Sequence, residues 1–211
     1  MSQNTSHAVM TQRAEPSDSL DFFPTPPWAT RALVEILRAE DPSLEHRSCW
    51  EPAAGAGDMV RPLKETFRDV YATDVHQWGG ADVVDDFLLP GWAEMPDWII
   101  TNPPFLLAER FIETSLRRAK RGVAMLVRTS FLESVGRYQR LFNVTPPHVV
   151  AQFVERVPMF KGRLDPTGST ATAYCWLIWW IGATRGAPRF RWIAPCRKRL
   201  ERAGDYDGGA A

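Results

Sequence analysis

Apolar residues along this chain recur in two rhythms, one of helical spacing and one of short continuous runs. Trp28, Ala29, Ala32, Leu33, Ile36 and Leu37 keep helical spacing, with Thr25 placed to cap and Pro26 in the first turn, so a helix is predicted that fades near Asp41-Pro42. A short strand from Ser48 runs into the glycines that follow Glu51, and further apolar runs predict strands at 69–74, within 81–88, and at 97–101, 122–128, 148–153 and 172–181. Between them, Leu107, Phe111, Ile112, Leu116 and Ala119 mark one face of an amphipathic helix over 105–120. Phe131, Leu132, Val135, Tyr138, Leu141 and Phe142 mark another, capped by Thr129 or Ser130 and broken by Pro146-Pro147. This alternation of strand and helix implies an α/β sheet covered by helices. Residues 1–20 carry no sustained period and are expected to form a flexible arm.

The most informative interruption is Asp97-Trp98-Ile99-Ile100-Thr101-Asn102-Pro103-Pro104-Phe105. Two consecutive prolines lack N–H donors and cannot continue a ladder, so a buried strand must stop at Asn102. Ligands of open α/β sheets bind in the crevice outside such strand ends. There, the Asn102 amide and the Pro103 carbonyl can accept both hydrogens of an exocyclic amine, drawing its lone pair out of ring conjugation, while Phe105 offers a stacking face. A second interruption, Glu51-Pro52-Ala53-Ala54-Gly55-Ala56-Gly57, is a tight strand-to-helix turn whose glycines let a ligand approach the backbone. Its spacing is neither GxGxxG nor a Walker loop, and a carboxylate at Glu51 disfavours phosphate but suits an ammonium. Asp74, ending the next strand, is placed to accept ribose hydroxyls, with Val75 bordering a base.

Composition narrows the setting. At 211 residues and 45% hydrophobic, the chain supports one substantial core, and its zero formal net charge gives no global sign of a nucleic-acid partner. Cys49, Cys175 and Cys196 are far apart and odd in number, which argues against a disulfide framework or zinc site and for a reducing cytoplasm. The most apolar stretch, Tyr174 to Ile181, is too short to span a bilayer, and no export signal opens the chain.

Asn102-Pro103-Pro104-Phe105 resembles motif IV, and the 51–57 turn resembles motif I, of amino-group methyltransferases that use S-adenosylmethionine. Phe23, Thr25 and Pro26 resemble motif X, which lies against the cofactor's methionine end, and Asp86-Phe87 resembles motif III, which contacts its adenine. The 157–169 loop resembles motif VIII, with Phe160 as the aromatic opposite Phe105, flanked by Lys161 and Arg163. The 129–138 segment looks like phage and prophage adenine methyltransferases. The resemblance covers roughly residues 21–180 and implies a Rossmann-like class I methyltransferase fold with a seven-stranded, mostly parallel sheet and one antiparallel strand, so a single catalytic domain is expected over 21–193, before a basic, then Gly-rich tail at 194–211. It implies S-adenosylmethionine as cofactor, with Glu51, Pro52, Ala53, Gly55, Gly57, Asp74, Val75, Asp86, Phe87 and Asn102 around it, and adenine N6 in DNA as the acceptor. RNA adenine and protein glutamine are the alternatives, and a non-catalytic binding module is the rival from another class. No metal is needed, because the leaving group is already a cation.

One departure matters. Gly57 and Asn102 are too close in sequence for a recognition domain between them, and little follows the last predicted strand. The basic segment from Arg185 to Arg202, with Phe190 and Trp192, carries the combination of cations and rings that suits nucleic acid, with a solvated terminal segment as the alternative. Trp179 and Trp180 are read as core.

Overall fold

The computed structural model describes residues 21–91, 95–184 and 186–207; the expected arm at 1–20 lies outside them. Eight strands form one sheet: β1 (Ser48–Glu51), β2 (Asp69–Asp74), β3 (Val83–Val84), β4 (Trp98–Thr101), β5 (Gly122–Arg128), β6 (Val149–Phe153), β7 (Tyr174–Trp180) and β8 (Arg189–Ile193). Their order is β3-β2-β1-β4-β5-β7-β6-β8. β7 runs antiparallel to β5 and β6, and every other pairing is parallel. The class expected from the sequence is therefore present, with eight strands instead of seven. The additional strand, β8, escaped the pattern because Arg189, Phe190, Arg191 and Trp192 are all exposed, and only Ile193 is buried. Backbone pairing with β6, from Val149↔Arg189 to Phe153↔Ile193, defines it without any alternation of burial.

Side chains alternate across the buried strands and build two cores. On β5, Ala124 and Leu126 face the cluster that holds Trp28, Leu33 and Leu37 of α1 (Pro27–Glu40), while Val123, Met125 and Val127 face the cluster of Phe111 and Ile112 from α3 (Ala108–Arg118). Trp176 and Trp179 are buried on opposite faces, as expected for core, and Trp180 is half-buried. Gly122 has no substitute, since a Cβ there would stand 2.3 Å from the Trp98 ring.

Two local expectations change. The N-cap of α1 is Pro26 with no side-chain cap, and the Thr25 hydroxyl is turned to the Met159 sulfur at 3.8 Å instead. The helix expected to start after Thr129 or Ser130 is split into a 3-10 turn (Thr129–Leu132), a short α4 (Val135–Arg137) and a π turn (Tyr138–Phe142). Ser134 takes over the capping, accepting from the Arg137 N–H. A short α2 (Val60–Lys64) follows the glycine turn as expected, and α5 (Arg197–Leu200) lies in the segment read as a tail.

That segment is tied to the fold by a buried cation. Arg31 donates to Asp205 at 2.7 and 2.8 Å, to Glu65 at 2.8 and 3.0 Å, and to the Leu200 carbonyl at 2.8 Å. The pairing lifts the Arg31 pKa against the opposing effect of burial. Among the described residues no helix is long and apolar enough to cross a membrane, and no group of three or more His, Cys, Asp or Glu residues is arranged to hold a metal ion.

Candidate active site

The carboxyl ends of β1, β2 and β4 open into a cleft of about 470 Å³, closed on one side by the 21–25 segment. At its floor, Asn102 donates through Nδ2 to the Phe23 carbonyl at 3.0 Å and to the Met159 sulfur at 3.6 Å. Those two acceptors fix the amide's orientation. Its Oδ1 is buried without a hydrogen-bond partner, one of eleven side-chain atoms in that state among the described residues. After the two prolines, Phe105 supplies the first free N–H, which donates to the Asp21 carboxylate. The Phe105 ring lies 5.0 Å from that of Phe23, and the Arg128 guanidinium stands 3.8 Å from the Phe105 centroid, within range of a cation–π contact. The ring and its two neighbouring prolines line the cleft.

The glycine turn forms the opposite wall. Gly55 and Gly57 adopt φ of +54° and +87°, values that residues with a Cβ rarely hold. The Gly55 N–H donates to Asp74 at 2.9 Å, and the other oxygen of Asp74 accepts from the His76 N–H at 2.9 Å. Gly80 closes on this turn from behind, donating to the Gly55 carbonyl at 3.0 Å. Over it lies Phe22, so close that a Cβ on Gly55 would stand 2.6 Å from the ring. Phe22 in turn stacks on Trp78 at 4.5 Å with planes 16° apart.

Most of the residues expected from the sequence converge here. Phe23, Thr25, Pro52, Ala53, Gly55, Asp74, Val75, Asp86, Phe87 and Asn102 to Phe105 all line the cleft. Pro26 and Gly57 are not part of that lining. Phe87 is almost wholly buried against Trp50 and Phe111, so it supports the wall from the core. Asp86 accepts from the Leu88 N–H at 2.9 Å, shaping its own turn.

Two groups sit elsewhere. Glu51, read as an ammonium partner, is fully buried and outside the lining; one carboxylate oxygen accepts from the Ala53 N–H at 3.0 Å, and the Thr101 hydroxyl lies beside the carboxyl. Burial, helped by the nearby Asp74 charge, raises its pKa to about 8. Phe160, Lys161 and Arg163 also lie outside the cleft. The Phe160 ring packs on Gly168 and under the Arg163 guanidinium at 5.6 Å, and Arg163 pairs with Asp165 at 3.7 Å. What this loop brings to the site is backbone and sulfur: the Gly162 N–H donates to the Phe22 carbonyl at 2.8 Å, and Met159 meets Asn102.

The sequence reading passed over Asp21, Asp58, Met59, Trp78 and Arg110, all of which line the cleft. Asp58 directly follows the glycine turn and pairs with Arg61 at 2.7 Å; burial raises its pKa more than that arginine lowers it. With Asp21, Asp58, Asp74, Asp85 and Asp86 against Arg110, the described lining is strongly acidic. Such a lining favours groups that carry positive charge or donate hydrogen bonds.

Comparison with known proteins agrees on architecture. No protein-family model matches the chain, and no curated protein matches it in sequence. Among solved structures, a type I restriction-modification methyltransferase subunit from Streptococcus thermophilus superimposes with a TM-score of 0.63 at 12% identity, covering 87% of this chain and 49% of that one. A Listeria monocytogenes protein assigned to the class I S-adenosylmethionine-dependent methyltransferases gives 0.60 at 14% identity, covering 83% and 67%. A Pyrococcus horikoshii protein assigned as an RNA methyltransferase gives 0.58 at 14% identity, covering 80% and 91%. The chain thus has the class I methyltransferase fold, and spans about half the length of the restriction-modification subunit it resembles.

Proposed function

We propose that this protein transfers a methyl group from S-adenosylmethionine to the exocyclic N6 amine of adenine in DNA. The observation that carries the reading is Asn102 Oδ1, a buried acceptor without a partner at the carboxyl end of β4, beside an aromatic ring and an acid-lined cleft. An amine donor is the chemistry that completes such a group.

S-adenosylmethionine, when bound, supplies an electrophilic methyl on a sulfonium. The chain's part is to bind, orient and exclude water. The acidic lining favours the sulfonium and ammonium, Asp58 being the carboxylate of the glycine turn that faces the cleft and Glu51 supporting the turn from beneath. In this reading Asp74 accepts the ribose hydroxyls and Asp86 meets the adenine end, and both line the cleft. Asn102 Oδ1 and the Pro103 carbonyl each accept one hydrogen of the target amine, leaving its lone pair directed at the methyl carbon. The N–C bond forms as the S–C bond breaks, and the extra proton leaves the alkylated nitrogen for solvent. Phe105 holds the base on one ring face while Arg128 backs the other. An adenine within duplex DNA has to leave the stack to reach this depth, at an unstacking cost of a few kcal/mol.

The likeness to a restriction-modification subunit supports DNA as the acceptor class, and the likeness to an RNA methyltransferase keeps RNA adenine as the second reading. Incubation with labelled S-adenosylmethionine and unmethylated duplex DNA, with total RNA in parallel, tests both after nucleoside analysis. N6-methyladenine from DNA supports the proposal, label confined to RNA moves it to the second reading, and label in neither refutes it.

A further inference from the structure

Three consecutive residues without regular secondary structure, Asp21, Phe22 and Phe23, line the cleft, and each presents a different group to it. The Phe23 carbonyl accepts from Asn102 Nδ2 at 3.0 Å, and the Asp21 carboxylate accepts from the Phe105 N–H. Asn102 and Phe105 are the first and last residues of the Asn-Pro-Pro-Phe turn, so one short segment grips both of its ends. Between the two grips, Phe22 is anchored independently: its ring stacks on Trp78 at 4.5 Å, and its carbonyl accepts from the Gly162 N–H at 2.8 Å.

The grip on Phe105 has a chemical reason. Pro103 and Pro104 have no N–H, so Phe105 carries the first backbone donor after Asn102, and the Asp21 carboxylate takes it. A hydrogen bond to an ionised carboxylate is about twice as strong as one between neutral groups. The Pro103 carbonyl lies between the two gripped ends, and proline fixes φ at both intervening positions, so little is left for this backbone to adjust once Phe105 is held. Resting on the reading of the cleft as an amine-methylation site, we infer that Asp21 is a positioning residue for the transfer: by holding the Phe105 N–H, its carboxylate sets the Pro103 carbonyl and the Phe105 ring against Asn102 Oδ1, so that two acceptors and a stacking face meet one planar amine.

Asp21 also belongs to the acidic lining, where a carboxylate can instead serve a cationic ligand as bare charge. The two roles differ in what they require: charge is lost on exchange for asparagine, whereas an amide oxygen still accepts from a backbone N–H. They differ in effect as well. Without the Asp21 carboxyl, Phe22 keeps its ring and carbonyl contacts and Phe23 keeps Asn102, so the Phe105 end is freed while the glycine-turn side of the cleft stays in place. A displacement of about 1 Å at a reacting centre costs up to about 100-fold in rate, and cofactor affinity need not follow it.

Wild type, Asp21→Ala and Asp21→Asn are compared in single-turnover methyl transfer at saturating S-adenosylmethionine, with unmethylated duplex DNA and total RNA as parallel acceptors, and in cofactor affinity by calorimetry. Asp21 is half-buried and precedes α1, so both variants are expected to fold. Asp21→Ala is expected to transfer about 10- to 100-fold more slowly with cofactor affinity within about threefold of wild type, and Asp21→Asn to recover most of the rate. A wild-type rate in Asp21→Ala overturns the inference, as does slowing that Asp21→Asn leaves unrecovered. Two variants that bind S-adenosylmethionine more weakly and transfer normally once saturated overturn it too, since that pattern belongs to bare charge. In each of these cases wild type still methylates, and the functional reading stands; a wild type that transfers to neither DNA nor RNA removes that reading and this inference with it.

Discussion

Asn102→Ala separates function from stability at one atom. The Nδ2 bond to the Phe23 carbonyl is a neutral hydrogen bond, and its loss costs about 0.5–1.5 kcal/mol. Removing the unpartnered Oδ1 works in the opposite direction, because a buried acceptor without a donor costs about 1–3 kcal/mol. The variant is therefore expected to unfold within about 1 kcal/mol of wild type, or to be slightly more stable. Transfer is different, since an interaction realised at the reacting centre is lost. Deleting one such group typically costs about 2.7–4 kcal/mol, a factor of about 10² to 10³ in kcat. Single-turnover transfer of labelled methyl to an adenine-containing duplex measures the rate, and calorimetry with S-adenosylmethionine and urea denaturation measure the rest. Asn102→Asp is the companion: it keeps an acceptor but sets an oxygen against the Phe23 carbonyl, so it is expected to loosen the 21–25 segment as well as slow transfer. Turnover of Asn102→Ala within about tenfold of wild type would refute the orienting role, and a large drop in stability would show that Oδ1 serves the fold.

Other consequences follow from charges and backbone contacts. Burial raises the Glu51 pKa to about 8, so the native state binds a proton that the unfolded state has released above its ordinary 4.5. Stability from this group is full below about pH 4.5 and is lost as pH rises through about 8, so the melting temperature of Glu51→Gln is expected to gain on wild type across that window; a difference that is flat with pH sinks the assignment. For Asp205, burial pushes the pKa up, but its hydrogen bonds with Arg31 and the Arg202 N–H bring it below 3.8, so its contribution is present above that value and is lost on acidification. Asp205→Ala is expected to cost about 3 kcal/mol at neutral pH by leaving the buried Arg31 half-paired, and an unchanged urea midpoint would contradict this. Gly80→Ala places a Cβ 2.0 Å from the Gly57 nitrogen and 2.4 Å from the Ala56 carbonyl carbon, both backbone, so the glycine turn has to move. Wild-type S-adenosylmethionine affinity in that variant would exclude the turn as part of the cofactor site.

The sequence made legible what local chemistry dictates. Pro103-Pro104 ends β4 at Thr101 because no ladder passes two prolines, and that alone locates the cleft. Gly55 and Gly57 take the left-handed backbone their spacing suggested. The departures arise where partners distant in sequence decide. Arg31 sits mid-helix among apolar residues, and nothing near it announces Glu65 or Asp205, so the 194–211 segment looked like a tail. Phe160 has the sequence neighbourhood of a base clamp, but Gly168 offers its ring a closer seat. Glu51 was placed correctly at a strand end; its carboxylate accepts from the Ala53 N–H two residues on, and it is the surrounding sheet that buries it outside the cleft lining. Asp21 and Trp78 belong to stretches without periodicity, and only the tertiary fold brings them to the site.

The compactness of the catalytic half constrains how a target is chosen. Between the glycine turn and Asn102 the described chain holds β2, β3 and short connections, so no recognition module interrupts the site there. The restriction-modification subunit that shares the fold is about twice as long, and whatever its remaining half does is absent from this chain's match. On the proposed reading, discrimination within these residues comes from the rim of the cleft, where Arg110 and Leu106 lie and Arg128 stands against Phe105. Contacts of that kind read charge, stacking and strand opening more than base edges. If the proposed transfer holds, exchanging these rim residues is expected to change which flanking structure is accepted while the dependence of transfer on Asn102 stays the same.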